Sequence, residues 1–367
     1  MRIGIDARMM GPNNTRGIGR YIEELVKAMV KGHKDHEYVL FTRNADHPLV
    51  DEDCIKTIVA DIPWYGWAEQ FRWSRIINEE RLDLMHFPHW NVPFLCKHTY
   101  VLTVHDLLLR HQKDSAKAST RSFVSRMVKR IGYRVVLDTA IRRARQICVP
   151  TQFVADDLAF FYPSAKDKIV VTGEGMTKFL DNGGRAPEYE YLLYVGSAYP
   201  HKRLDLLVDA WRTLQSVYPK LNLVIAGEVD VFMQKIQARV EAMNLKRVHF
   251  IGKVLDKDLK ALYEGASAFV FPSEFEGFGL PPTEALMLGT PVISSDSRPM
   301  PEVLGTKGVI YFKSGSIFDM IEAVKAVVDN SKSMRNQAKN AGLELRERYN
   351  WKYASELTFK AYTRVLE

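Results

Sequence analysis

The chain has 367 residues, 46% hydrophobic and 26% charged, a composition typical of soluble globular proteins that excludes a mainly disordered chain. At roughly 100–200 residues per domain the length predicts two domains, each able to bury its own core. The net charge is +7, but no apolar run approaches the roughly 18–20 residues that span a bilayer, and no recognisable nucleic-acid module accompanies the excess. Cys54, Cys96 and Cys148 are odd in number and scattered, which fits neither a disulfide framework nor a zinc site. No secretory leader precedes the first strand, so the expected location is the cytoplasm.

Short apolar runs alternate with helical patterns along the chain, which predicts α/β units built on parallel sheets. In the first half the expected strands are Ile3 to Asp6, Tyr38 to Phe41, Ile55 to Val59, Leu84 to Phe87, Tyr100 to Val104, Gln146 to Val149 and Ile169 to Val171. Helices are expected at Gly19 to Val30, within Trp67 to Asn78, and at Gln152 to Phe161. A further helical pattern runs through the basic stretch from Lys113 to Arg145, where Phe123, Val124, Met127, Ile131 and Val135 interrupt ten Lys and Arg. Residues 1–180 hold 27 Lys and Arg against 21 Asp and Glu, and the remainder 24 against 23. That helix reads either as a solvated face or as a surface for anionic membrane lipids.

The polar segment from Asp181 to Glu190 reads as a linker, dividing a domain 1–180 from a domain 181–348. After it, strands are expected at Leu192 to Val195, Leu223 to Ala226, Val248 to Ile251, Phe269 to Phe271, Val292 to Ser294 and Val309 to Tyr311. The final segment, 349–367, forms a helix from Trp351 to Leu366, predicted to return to the first domain with Trp351, Ala354, Leu357, Ala361 and Val365 on its buried side. Two nucleotide-binding-like domains facing each other across a cleft are the expected architecture.

The densest chemistry lies between Phe271 and Val292. A strand ends at Phe271, a loop with Gly277 and Gly279 follows, and Pro281 and Pro282 open a helix. Glycines let backbone amides approach a ligand, and a helix start favours an anion. Glu276 and Glu284, eight residues apart, bracket that site with carboxylates suited to hydroxyl groups. An anion cradle between two hydroxyl-binding carboxylates fits a nucleoside diphosphate sugar.

The Glu276 to Glu284 segment resembles the E-x7-E motif of the retaining glycosyltransferases of family 4, which have the GT-B fold. Tyr194 to Asp205, with its Lys202, resembles the first strand and phosphate-binding loop of that family's second domain. Leu223 to Glu228, Val248 to Gly252, Leu262 to Ser267 and Met300 to Gly305 are similar to later blocks, and Gly17 to Tyr21 and Thr103 to Asp106 to the glycine loop and acceptor-side His of its first domain.

The resemblance implies roles. Lys202, with Arg203 beside it, would face the departing diphosphate, whose negative charge grows as the sugar–phosphate bond breaks. The family's usual second cation is replaced by Ser197, so Arg203 or Arg20 would take its place. Glu276 would hold donor-sugar hydroxyls and steady positive charge at the anomeric carbon, the backbone of Gly277, Phe278, Gly279 and Leu280 would complete that pocket, and Glu284 would bind the ribose. Gly17 and Gly19 would face the diphosphate from the first domain. His105 would point towards the donor sugar, with Asp106 a lesser acceptor-side candidate. Glu174 and Gly175 stand where the family often has Asn-Gly and receive no role. No metal or cofactor is expected, because Asp51-Glu-Asp53 and Asp256-Lys-Asp258 read as solvated turns.

The expected function is transfer of a hexose, GDP-mannose being the favoured donor, to a hydroxyl of a glycan or lipid-linked acceptor in bacterial surface-polysaccharide synthesis. A sugar-nucleotide epimerase of the same fold and a non-catalytic nucleotide-sugar binder are the alternatives.

Overall fold

The computed structural model of the protein describes every residue except 11–16, 48, 50, 51, 65, 112–122, 177, 178 and 180–182, and the backbone alone of 123–131. The strands form two parallel sheets. The first has seven strands, β1 (Arg2–Asp6), β2 (Glu37–Thr42), β3 (Ile55–Val59), β4 (Leu84–Phe87), β5 (Tyr100–Thr103), β6 (Gln146–Val149) and β7 (Ile169–Val171), in the order β3-β2-β1-β4-β5-β6-β7. The second has six, β8 (Tyr191–Val195), β9 (Asn222–Ala226), β10 (Val248–Gly252), β11 (Ala268–Phe271), β12 (Val292–Ser295) and β13 (Val309–Phe312), in the order β10-β9-β8-β11-β12-β13.

Runs such as Ala268-Phe-Val-Phe271 are buried along their whole length, as a parallel strand covered by helices on both faces requires. In each sheet the order reverses beside the first strand, between β1 and β4 and between β8 and β11. Ligands of open α/β sheets bind beyond the strand ends at such switch points.

The chain separates into two compact units, Met1–Gly175 with Tyr349–Glu367, and Met176–Arg348. The division falls at Gly175 rather than in the polar segment after residue 180. Two contacts explain the difference. A Cβ at Gly175 would lie 2.4 Å from the backbone N of Trp351, so the chain stays packed on the first unit up to that point. Beyond residue 182 the expected linker is docked on the second unit, where Arg185 N–H donates to Asp258 at 3.1 Å.

The core of the second unit gathers Trp211, Leu207 and Val324 over Leu223, Val270 and Ile293 of the strands. The first unit has two cores, one around Trp73, Phe87 and Leu102, the other around Ile3, Leu25 and Met29. The C-terminal helix Trp351–Leu366 joins the latter with Phe359, Ala361 and Tyr362. Its buried face is therefore turned from the expected one, because Leu357 and Val365 are only half-buried while Thr358 and Tyr362 are enclosed. The Tyr362 hydroxyl reaches His86 Nδ1 at 2.7 Å, and His86 Nε2 lies 2.8 Å from the Thr103 hydroxyl. Burial, with the nearby His105 adding to it, pushes the His86 pKa down to about 3, so this imidazole is neutral.

Gly175→Ala forces a methyl group against the Trp351 backbone and is expected to lower stability by about 1–3 kcal/mol in chemical denaturation. Unchanged stability would show that this contact is soft.

Candidate active site

The second unit brings Lys202 and Glu276 together from the two strands that flank its switch point. β8 ends at Val195, and a short turn Pro200–Lys202 follows, closed by Arg203 in the left-handed conformation at φ 50°. β11 ends at Phe271 and leads into the loop that carries Glu276. The two segments are stitched through their backbones, with Glu274 N–H donating to the His201 carbonyl at 2.8 Å. Above that stitch Lys202 Nζ lies 2.5 Å from Glu276 Oε1 and 5.8 Å over the Phe271 ring.

Ser273, which the sequence reading passed over, stands with its hydroxyl 2.6 Å from the same Glu276 oxygen. Neither member of the ion pair is fully enclosed, with side chains 21% and 14% exposed, so a ligand can reach both. Burial pushes the neighbouring His201 down to about 4, and the Lys202 charge adds to that effect. Lys202 is thus flanked by a neutral ring.

Arg203 is differently placed. Its guanidinium pairs with Glu274 and, at 3.3 Å, with Asp205. Any phosphate would have to compete with these two carboxylates.

Gly279 begins the helix Leu280–Met287 at φ 89°, where only glycine is at ease, and a Cβ there would meet Met300 Cε at 2.6 Å. Pro281 and Pro282 follow Leu280, so two first-turn positions carry no N–H and the donors for an anion are concentrated at Leu280 and the loop before it. Glu284 is the fifth residue of this helix, just past its first turn. It is buried, and the Tyr263 hydroxyl donates to its Oε2 at 3.1 Å. That bond fixes the carboxylate's orientation, which a Glu serving only the helix dipole would not need.

The first unit holds the remaining candidates. Gly17 and Gly19 lie in the first turn of the helix Gly17–Gly32, Gly17 exposed and Gly19 buried; residues 11–16 before them are outside the described set. His105 follows β5 by two residues. Its Nε2 lies 3.0 Å from the Pro88 carbonyl and its Nδ1 3.2 Å from Glu174 Oε1, with the Tyr21 ring edge-on at 4.6 Å. Both partners accept hydrogen bonds, so this geometry favours protons on both nitrogens.

Burial opposes the charge, yet the hydrogen bond and charge of Glu174, the Pro88 carbonyl and Asp106 outweigh it and raise the His105 pKa above 6.5. A ring nitrogen therefore reaches a sugar only by exchanging one of these partners. Asp106 accepts the Leu108 N–H at 2.8 Å and caps its own turn.

Glu174, given no role by the sequence reading, is the buried partner of His105. The two are 69 positions apart, and only the Gly-Glu-Gly run after β7 marks a polar residue at a strand end. Of the acidic spacings expected to be turns, Asp51 lies outside the described residues, whereas Asp256 and Asp258 open the helix Asp256–Gly265, where Asp258 accepts the Arg185 N–H.

Residues 15–176 match the family described as Glycosyltransferase Family 4, and residues 176–344 that described as Glycosyl transferases group 1. The chain belongs to the family 4 glycosyltransferases. It is 30% identical over 249 residues to the O-antigen chain mannosyltransferase RfbU of Salmonella typhimurium, covering 68% of this chain and 65% of that protein. It is 24% identical to the O-antigen chain mannosyltransferase B of Escherichia coli, over 94% of this chain and 95% of that one. Among solved structures, sucrose-phosphate synthase from Thermosynechococcus elongatus superimposes with a TM-score of 0.77 at 19% identity, covering 99% of this chain and 98% of that one. HepE of Anabaena, solved in complex with UDP-glucose, gives 0.74 at 16% identity, with 99% and 100% covered. These likenesses establish the GT-B fold.

The His105–Glu174 pair has a pH signature. Because the folded pKa is raised, its stabilisation is complete below the ordinary imidazole value of 6.5 and is lost as pH rises through the folded value. In an NMR titration His105 should titrate above 6.5 in the native protein and lower in Glu174→Gln. Equal values in the two proteins would remove Glu174 as the cause.

Proposed function

We infer that the protein transfers a hexose from a nucleoside diphosphate sugar to a hydroxyl of a glycan or lipid-linked glycan, with retention at the anomeric carbon and without a metal ion. The observation that carries this reading is the Lys202–Glu276 pair at the switch point of the second sheet, beside the glycine loop and the helix that begins at Leu280. A diphosphate entering there competes for the Lys202 ammonium and draws it from Glu276. The released carboxylate, still held by Ser273, is then free to accept from sugar hydroxyls. Glu284, oriented by Tyr263, accepts from the ribose.

As the C1–oxygen bond of the donor breaks, negative charge grows on the departing phosphate, where Lys202 and the loop amides stand. The acceptor oxygen bonds to C1 from the same face, and its proton goes to the leaving phosphate oxygen. Ammonium and backbone dipoles supply charge that a divalent ion provides in other nucleotide-sugar enzymes. Two relatives bear the name O-antigen chain mannosyltransferase, which favours GDP-mannose and surface-polysaccharide assembly. The first unit, with His105, is assigned to the acceptor.

Thermal shifts with GDP, UDP and dTDP test the nucleotide, because a ligand of the native state alone raises the melting temperature. GDP should give the largest shift, and a larger UDP or dTDP response would move the donor assignment. Glu284→Gln should weaken donor binding at least about tenfold, since a charge-assisted hydrogen bond is worth roughly 1.5–3 kcal/mol. Lys202→Ala should lower kcat on the order of a hundredfold, with a smaller effect on donor affinity. Turnover should survive EDTA. A rate that falls with EDTA and returns with magnesium, or nucleotide release equal with and without acceptor, would contradict transfer as described.

A further inference from the structure

The first unit exposes an apolar surface that the proposed reaction does not use. Trp67 is 80% exposed, Phe71 58%, Leu95 52% and Phe94 38%. The Trp67 and Phe71 rings stack at 6.2 Å, and Phe71, Phe94 and Leu95 line an open groove of about 570 Å³ together with Arg75, Lys97 and Arg143. Scattered exposed apolar residues are ordinary, but four large ones in two adjoining segments form a patch.

The loop that carries Phe94 and Leu95 is held in place by polar side chains. Phe94 N–H donates to Gln70 at 2.9 Å, Asn78 donates to the Leu95 carbonyl and accepts from Lys97 N–H, both at 2.9 Å, and Arg143 donates to the carbonyls of Phe94 and Cys96. Cys96 N–H donates to Pro93. These bonds satisfy much of the loop's backbone internally and so hold the loop in one shape. Its side chains are meanwhile fixed outward.

We propose that this patch docks the protein on a bilayer surface containing anionic lipids, with Trp67, Phe71, Phe94 and Leu95 entering the headgroup region. Aromatic side chains suit that depth, and the basic residues match negative headgroups. Lys97 and Arg143 stand at the groove without a carboxylate among its lining residues, Arg75 is paired with Glu79 at 2.8 Å, and Arg142 and Arg145, on either side of Arg143 in the chain, are exposed. A second copy of the chain fits less well, because an isologous contact would set the same cations against one another. The inference goes beyond the transferase reading and does not depend on it.

The test is co-sedimentation of the full chain with phosphatidylcholine vesicles, with and without phosphatidylglycerol. The wild type should bind the anionic vesicles, more weakly at high salt. The exposed-site variant Trp67→Ser/Phe71→Ser/Leu95→Ser should bind at least about tenfold more weakly, since fully burying even one such side chain is worth about a decade or more. Its GDP affinity and melting temperature should not change, which separates this outcome from failure of the donor site or of folding. Trp67→Phe should remove the vesicle-induced shift in tryptophan emission. The proposal is overturned if the wild type ignores anionic vesicles or if the triple variant binds them as the wild type does. It is also overturned if only Arg126→Glu/Lys129→Glu/Arg130→Glu releases the protein, which would place the contact on the basic helix. A wild-type dimer on sizing that the triple variant abolishes would assign the patch to self-association instead.

Discussion

Lys202 and Glu276 can meet only because two strands adjacent in the second sheet are distant in sequence. β8 and β11 are hydrogen-bonded neighbours, yet the chain builds β9 and β10 between them, so the loops that leave their carboxyl ends diverge and open a crevice. An ammonium from one loop and a carboxylate from the other close at 2.5 Å across it. The pair holds complementary charge in a partly enclosed place, and in the proposed reaction it opens when a ligand supplies better partners. A diphosphate suits the lysine better than one carboxylate does, and sugar hydroxyls suit a carboxylate that is no longer neutralised. In the proposed reaction the rest of this unit serves the exchange: Ser273 would keep Glu276 in register, the prolines gather the free donors at the helix start, and Tyr263 orients Glu284.

The first unit uses the ends of β4, β5 and β7 in a similar way. His105 bridges the Pro88 carbonyl after β4 and Glu174 after β7, so one imidazole ties three strand ends. Tyr21 packs on that ring and on Trp351, and Trp351 in turn packs on Gly175, the last residue before the chain leaves the unit. The C-terminal helix is therefore connected to the histidine through Tyr21, which meets Trp351 directly and Tyr362 by way of Thr103 and His86. Changes at His105 would be felt where the chain leaves and re-enters this unit.

Much of this was legible in the sequence. Buried parallel strands are short, apolar and β-branched or aromatic, and runs such as Tyr100 to Thr103 and Gln146 to Val149 mark their own ends. The Glu276 loop could be read because glycine, proline and carboxylate each impose a local requirement on the chain. What could not be read depends on tertiary neighbours. Leu357 looks as apolar as Phe359, and only the packing of the C-terminal helix on Leu25 and Met29 decides which face is enclosed. The link from Glu174 to His105 joins residues with no periodic relation, and Ser273 looks like any small residue after a strand until Glu276 is found 2.6 Å away. The apolar patch was hidden because Phe94 and Leu95 resemble core residues in composition, and their exposure follows from side-chain bonds made by Gln70, Asn78 and Arg143.

Hydrogen–deuterium exchange on the intact protein, with and without GDP-mannose, tests the donor site most directly. Amides in Gly196 to Arg203 and in Ser273 to Leu280 should slow when the nucleotide sugar is present. Those of the second segment should slow more with GDP-mannose than with GDP alone, because the sugar engages Glu276 and the loop beside it. Protection confined to other segments, or no change at saturating ligand, would contradict the assignment of Lys202 and Glu276 to the donor.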